Sequence, residues 1–416
     1  MKPPVAFVFS QFPRYDEVFI LREMVQLDGL LDLTILSLKP AGKDPIRHGL
    51  SSPLLARTIY AGFLSPRVLF ACLAGFLRRP SRFLRALALT IRINRKDSEF
   101  LLKSLASFPQ AVFFAGVCRA RSIERVHGQW ATYPAGTALI ISILNRIPFS
   151  FTGHAHDIHV KTAGLAEKMA RAEFIITCTA RNRSHLLALA PGLPAAKVRV
   201  VYHGADLESY RPKSKSASSG PFRIVSVGSL FECKGFEYLI EACALLKERG
   251  RKVRCRIVGG GCLREKLEKL VSSLQAGDSV EFAGYQLQEE MPAHYAWADL
   301  CVLPAVLAIH WGIPNVLIES LAVGTPVACT PLPSLPELID SPPCGFVIPE
   351  KDPSAIANLI EKVSADPRLL LYYGETGRRK VEERWDVEKN ARAIAGMFQT
   401  RETRETREAR ETREAR

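Results

Sequence analysis

Short apolar runs of strand composition alternate with helix-length stretches along most of the chain, and after a Ser/Lys-rich break the alternation starts again. Strands separated by helices lie parallel, with helices covering both faces of the sheet. The first series is "VAFVF" (5 to 9), "DLTILSL" (32 to 38), "IERVHG" (123 to 128), "PFSFTGH" (148 to 154), "FIITCTA" (174 to 180) and "VRVVYHG" (198 to 204). The break, "KSKSASSG", has the composition of a flexible connector. The second series is "FRIVSVG" (222 to 228), "VRCRIVGGG" (253 to 261), "SVEFAGY" (279 to 285), "ADLCVLPA" (298 to 305), "PVACT" (326 to 330) and "GFVIP" (345 to 349). With 416 residues there is material for two domains of typical size. The expected class is α/β, with two Rossmann-like doubly wound domains facing across a cleft, because ligands of such sheets bind outside the carboxyl ends of the strands. Expected boundaries are an N-terminal Rossmann-like domain over 1–210, a linker over 211–220, and a C-terminal Rossmann-like domain over 221–385. A helix over 386–400 is expected to cross back to the first domain. The tail "RETRETREARETREAR" (401–416) is expected to be a solvated, frayed helix or disordered, since it has almost no apolar face.

Ten cysteines are scattered singly, with no C-x-x-C pair and no Cys/His cluster at zinc spacing. They read as small buried hydrophobes in a reducing compartment, and no metal site is expected. The opening "MKPPVAFVFSQFPRY" breaks at Gln11 and Pro13, too early for a signal-peptide core, and reads as the first strand of a cytoplasmic protein. The formal charge of +14 is concentrated in one region: no acidic residue occurs between Asp44 and Asp97, while arginines punctuate "TIYAGFLSPRVLFACLAGFLRRPSRFLRALALTIRI". These arginines interrupt the apolar windows before they reach the roughly 20 residues that span a bilayer. Region 45–96 therefore reads either as a basic, apolar helical pair on an anionic membrane surface, or as helices packed on the domain with solvated arginines. A nucleic-acid partner is not expected, because no aromatic residues interleave with the basic ones on a strand platform.

Three strand-to-helix turns of the second series have the chemistry of an anion site. In "VSVGSLFECKGFEYLIEA" a strand ends at Gly228 and Lys234-Gly235 open a helix, so a cation and free amides converge on one place. In "IVGGGCLRE" the missing side chains of Gly259 and Gly260 allow a ligand close to the backbone. In "HWGIPNVLIES" Gly312 and Ile313 lead to Pro314, expected at the first helical position, with the amides of Asn315 and Val316 turned toward a phosphate or sugar. Glu319, one turn on, could accept from two vicinal hydroxyls, although position alone suggests an exposed helix glutamate. In the first series "FSFTGHAHDIHV" leaves a strand for a polar turn with His154, His156, Asp157 and His159. Read as extended chain, these residues alternate sides and do not converge on a metal, whereas His154 at a strand end can hydrogen-bond a substrate hydroxyl or steady developing charge.

Together these turns resemble the retaining glycosyltransferases of family 4, glycosyl transferases group 1, with the two-Rossmann-domain B fold. Within that group the likeness is to enzymes that extend exopolysaccharide units such as colanic acid. The resemblance runs to about residue 395 and is carried by "FSQFPRYDEVFILREM", "HGQWATYPA", "PFSFTGHAHDI", "VVYHGADLESYRP", "VGSLFECKGFEYLIEA", "VGGGCLREKLEKL" and "GIPNVLIESLAVGTPVACT". It implies His154 and Lys234 as catalytic residues, and donor binding by Ser229, Gly259, Gly260, Trp311, Gly312, Ile313, Pro314, Asn315, Val316 and Glu319. On the acceptor side it implies Glu17, His127, His156 and Asp157. Two positions differ: Ser229 stands where the family carries an arginine, and Trp311 where it carries a sugar-contacting acid.

The implied activity is metal-independent transfer with retention, with a nucleotide-sugar donor as co-substrate and no other cofactor. The implied acceptor is a glycan, expected to be polyprenyl-linked, met at the inner face of the cytoplasmic membrane. The second reading is a catalytically impaired relative that binds nucleotide or partner glycosyltransferases without transfer.

Overall fold

The computed structural model describes residues 2–14, 17–42, 49–63, 65–212, 220–306, 312–399. Most of the expected linker (213–219), the charged repeat 401–416 and Trp311 lie outside the described residues. The chain divides into two compact units: residues 1–201 together with 388 onward, and residues 202–387.

In the first unit seven parallel strands follow the order β3-β2-β1-β4-β5-β6-β7. They are β1 (Pro4–Gln11), β2 (Asp32–Lys39), β3 (Thr58–Tyr60), β4 (Arg125–Gln129), β5 (Phe149–Gly153), β6 (Ile175–Thr177) and β7 (Val198–Val200). Strand β1 shows how such a sheet is built, because its alternate residues serve different cores. Ala6 and Val8 face one core with the helices Ser98–Ala120 and Tyr133–Asn145, while Val5, Phe7 and Phe9 face another with the helix Val18–Leu30. The C-terminal helix Val387–Met397 closes this second face: Ala391, Ile394, Ala395 and Phe398 are buried there, with the Phe398 ring 5.6 Å from Phe7 and 5.3 Å from Phe174. Helix Ser98–Ala120 has the length and composition to cross a membrane, yet it packs in the unit. Its buried Gln110 donates to the carbonyls of Leu38 (2.7 Å) and Ala61 (2.6 Å). Edge strand β3 falls inside the stretch that the sequence pattern gives to helices; it is three residues long and is held by pairing with β2.

The second unit repeats the plan with six parallel strands in the order β10-β9-β8-β11-β12-β13. These are β8 (Phe222–Val227), β9 (Val253–Val258), β10 (Val280–Gly284), β11 (Leu300–Leu303), β12 (Val327–Cys329) and β13 (Gly345–Val347). One face packs Ile224, Ile257, Leu300 and Val302 against the helices Phe236–Glu248 and Pro353–Ser364. On the other, Val225, Cys301 and Leu303 meet Tyr295, Leu317, Leu321 and Trp385. In each unit the strand order reverses once, between β1 and β4 and between β8 and β11. Such reversals open a crevice at the carboxyl ends of the strands, where ligands of open sheets bind.

Truncating Phe398 to alanine removes a fully buried ring that touches three aromatic partners. The variant is expected to lose about 3–5 kcal/mol in urea unfolding of the first unit; a loss under about 1 kcal/mol would mean that this helix end does not close the core.

Candidate functional site

In the second unit the site elements are turns at the reversal point. Strand β8 runs into Gly228, Ser229 is exposed, a short 3-10 turn covers Glu232–Lys234, and the helix Phe236–Glu248 follows Gly235. Gly235 adopts φ +64°, and a Cβ there would stand 2.1 Å from the Pro304 carbonyl oxygen at the end of β11. The methylenes of Lys234 lie over Gly228, 3.5 Å from where a Cβ would sit, and burial lowers the lysine's pKa. The glycine turn after β9 packs on this one backbone to backbone. Gly259 has φ +142°, and a Cβ there would come 1.9 Å from the Gly228 oxygen. Leu230 N–H donates to the Gly260 carbonyl at 2.9 Å, and Gly228 N–H to the Val258 carbonyl at 3.0 Å. Two strand ends thus form a surface of bare peptide beside a partly buried ammonium, which suits close approach of an anion.

The third turn differs from expectation in two ways. Pro314 (φ −63°, ψ 126°) precedes the helix Asn315–Ala322 as its N-cap, because its carbonyl already accepts from Leu317 N–H at 3.1 Å. Helical geometry therefore leaves the amides of Asn315 and Val316 open. Glu319 is buried, and the Tyr295 hydroxyl donates to its Oε2 at 2.7 Å. Burial first, and then this carboxylate, hold the Tyr295 phenol well above its usual pKa, so it stays a donor. Ile313 faces the core, whereas Gly312 has open space around it.

In the first unit the turns after β4 and β5 are tied by one carboxylate. Asp157 accepts backbone amides from Ala131 (2.7 Å), His154 (3.0 Å) and Ala155 (2.9 Å). The Ala131 carbonyl in turn accepts from the buried Lys168 ammonium at 2.5 Å, so Asp157 and Lys168 hold the two successive peptides that flank the Ala131 Cα. Burial pulls Lys168 down to about 7, with Asp157 opposing, and pushes the Asp157 carboxyl up against its backbone donors. Residues His156–His159 form a helical turn, since only that curl brings Asp157 back onto the preceding amides; the expected extended alternation is corrected. His156 is exposed, and His159 bonds Asn182 at 2.9 Å and stacks on His185. Asp157 therefore shapes the turn through three backbone amides.

His154 is buried between the rings of Trp130 (4.3 Å) and Phe19 (5.6 Å). Burial lowers its pKa to about 3, which leaves the imidazole neutral. Its Nε2 lies 3.5 Å from Gln129 Nε2, which in turn lies 3.5 Å from the Glu23 carboxylate. Burial raises Glu23 to about 7, with the Gln129 hydrogen bond opposing. Glu23, Gln129 and Trp130 were missed by sequence reasoning; the available signals were the position of Gln129 at the last residue of β4 and the Phe19 to Glu23 spacing of one helical turn. His127, expected on the acceptor side, belongs to the core: its ring nitrogens bond Ser150 (2.8 Å) and Thr152 (2.9 Å), and Phe398 packs on it at 5.6 Å. Glu17 lies at the N-cap of helix Val18–Leu30 and pairs with Arg14 at 3.4 Å.

Comparison with solved structures defines the class. HepE of Anabaena, solved with UDP, superposes with TM-score 0.70 at 16% identity over 96% of this chain and 99% of its own. Sucrose-phosphate synthase of Thermosynechococcus elongatus gives 0.68 at 19% identity over 95% and 98%. These likenesses set the fold as the glycosyltransferase B type. Residues 209–380 match the family model of glycosyl transferases group 1. Among curated relatives, the putative colanic acid biosynthesis glycosyltransferase WcaL of Escherichia coli K12 is 34% identical over 212 residues, covering 50% of this chain and 52% of that protein. The amylovoran biosynthesis glycosyltransferase AmsK of Erwinia amylovora is 32% identical over 214 residues, covering 51% and 53%. The chain spans about half the length of the curated relatives it matches.

Two predictions follow from this geometry. Gly259→Ala should destabilise the second unit by roughly 1–3 kcal/mol or more, because its φ disfavours a side chain and a Cβ would collide with fixed backbone; Gly277→Ala, with open space around it, should stay within about 0.5 kcal/mol. Equal unfolding midpoints for the two variants would contradict the packed turn. The second concerns acid. His127 and His154 have folded-state values near 3 against 6.5, so the unfolded chain binds more protons between those values and stability falls as pH drops from 6.5. Each ring contributes a slope of up to about 1.4 kcal/mol per pH unit. Glu23, raised from 4.5 to about 7, and Asp157, also raised by burial, act in the opposite sense, so the contribution of a ring is read as the difference between wild type and variant. Acidification from pH 6.5 should lower the urea midpoint of the wild type relative to that of His127→Gln; parallel profiles would contradict the buried neutral ring.

Proposed function

We propose that the chain is a retaining glycosyltransferase that moves a sugar from a nucleotide-sugar donor to a glycan acceptor in cell-surface polysaccharide synthesis. The observation that carries the reading is the family-matched second unit, whose reversal point combines Lys234, the bare peptides of Gly228 and Gly259, and the buried Glu319–Tyr295 pair. In this reading the donor diphosphate lies on those peptides and on the open amides of Asn315 and Val316, with Lys234 neutralising charge as the leaving group departs. Glu319, oriented by Tyr295, accepts from the ribose hydroxyls. HepE, of the same fold, has been solved with UDP, which makes a nucleoside diphosphate the first ligand to try.

His154 is neutral and serves as a hydrogen-bond partner at the reacting sugar, with Gln129 and Glu23 beside it. The diphosphate itself takes the acceptor proton, so transfer proceeds without a metal and without a protein nucleophile. The WcaL and AmsK names point to exopolysaccharide as the product class. The acceptor is then a glycan on a polyprenyl carrier, and the enzyme works in the cytoplasm at the inner face of the membrane.

One observation favours a second reading, an impaired relative that binds nucleotide without transfer. Ser229 is exposed at the turn beside Lys234, where it adds no positive charge, and a serine cannot supply the fork of an arginine. Loss of one donor to developing charge lowers kcat by about 10²–10³-fold. Purified protein is assayed for donor hydrolysis and transfer with UDP- and GDP-sugars, beside Lys234→Ala, His154→Ala and Ser229→Arg. Turnover by the wild type that drops about 10²–10³-fold in Lys234→Ala supports the transferase; a silent parent that gains activity in Ser229→Arg supports the impaired relative.

A further inference from the structure

The most exposed apolar surface of the first unit lies on one helix. Helix Pro66–Arg78 turns Leu69, Phe70, Leu73 and Leu77 outward, with Phe70 74% and Leu77 69% exposed. Their spacing places them on one stripe. The opposite side is fixed: Val68 is buried, and Gly75 packs so closely on helix Ser98–Ala120 that a Cβ would stand 2.5 Å from a Val112 methyl. The stripe is thus held outward by packing on the far side. A contiguous apolar patch of this kind marks an interaction site.

The charges around it select the partner. Arg67 and Arg78 on this helix and Arg85 on the following helix Pro80–Asn94 are exposed, and no acidic residue occurs between Asp44 and Asp97. Arg79 and Arg82 are committed instead to the Leu144 carbonyl, at 3.0 and 3.2 Å, which removes them from the set that the sequence pattern offers. The positive charge is dense enough that burial and the neighbouring guanidiniums of Arg146, Arg79 and Arg85 lower Arg82. A second copy of this chain would bring its own arginines against these, since a two-fold contact pairs a patch with itself. An anionic surface with an apolar interior meets both features. The helix has 13 residues, about 20 Å at 1.5 Å each, too short to cross a hydrocarbon core of about 30 Å, so it lies in the interface.

We propose that the outer face of helix Pro66–Arg78 docks the first unit on an anionic phospholipid membrane, with Phe70, Leu73 and Leu77 entering the acyl boundary and Arg67, Arg78 and Arg85 meeting the phosphates. The proposal rests on this face and not on sugar transfer, and its test uses neither donor nor acceptor.

Purified full chain is floated with vesicles of phosphatidylcholine plus phosphatidylglycerol, and with vesicles of phosphatidylcholine alone. The wild type is expected to float with the anionic vesicles and far less with the neutral ones. Phe70→Asp/Leu73→Asp should abolish flotation, and Arg78→Gln/Arg85→Gln should weaken it about 25-fold, at about fivefold per arginine near the surface. The control Leu371→Asp, at a residue 60% exposed in the second unit, should float like the wild type. A wild type that does not float, or helix variants that float as well as the control, would overturn the proposal. So would a dimer of the wild type that the Phe70→Asp/Leu73→Asp change dissociates without vesicles, which would assign the face to a second copy.

Discussion

The backbone contact between Gly259 and the Gly228 carbonyl is the interaction on which the second unit's candidate site depends. Parallel strands end in peptides with no partner beyond the ladder, and side chains there would hold a ligand away from those peptides. With no Cβ at either position, the ends of β8 and β9 meet directly, and Lys234 lies across the join. Gly235 does the same toward β11, so three neighbouring strand ends share one close-packed surface. Glu319 enters from the helix Asn315–Ala322, already oriented by Tyr295. The first unit reaches a comparable end by another device. There a buried carboxylate, Asp157, gathers three backbone amides from two turns, and Lys168 holds the next peptide along, at the Ala131 carbonyl. His154 emerges from that clasp between two aromatic rings, where burial keeps it neutral.

Much of this was legible in the sequence because it depends on period and composition. The alternation of apolar runs and helices gives two parallel doubly wound sheets, and most long strands were visible within a residue or two, with β9 expected three residues too long. Glycines at strand ends marked the turns of the second unit. What could not be read was anything set by position along a strand. His127 and Gln129 share a face of β4, but a step of two residues, about 7 Å, separates a ring covered by Phe398 from a side chain beside His154. Glu319 suggested an exposed helix residue, because nothing local announces that Tyr295, 24 residues earlier, closes over it. The short edge strand β3 exists only through its pairing with β2.

Charge behaved similarly. The sequence shows an arginine-rich, acid-free stretch but not which arginines are committed. Two of them are fixed on the Leu144 carbonyl, where they hold helices together, Arg57 pairs with Asp28 and Arg92 with Glu167, while Arg67, Arg78 and Arg85 are exposed. A count of basic residues therefore overstates what a partner would meet, while the arrangement of those left is more specific than the count.

Isothermal titration calorimetry with UDP and GDP bears most directly on the claim that the glycine and lysine turns of the second unit receive a nucleoside diphosphate. One equivalent of at least one nucleotide should bind the wild type, with affinity reduced about tenfold or more in both Lys234→Ala and Glu319→Gln, in line with about 1.5–3 kcal/mol for a hydrogen bond to a charged group. Absence of binding by either nucleotide, or binding that neither substitution alters, would contradict it.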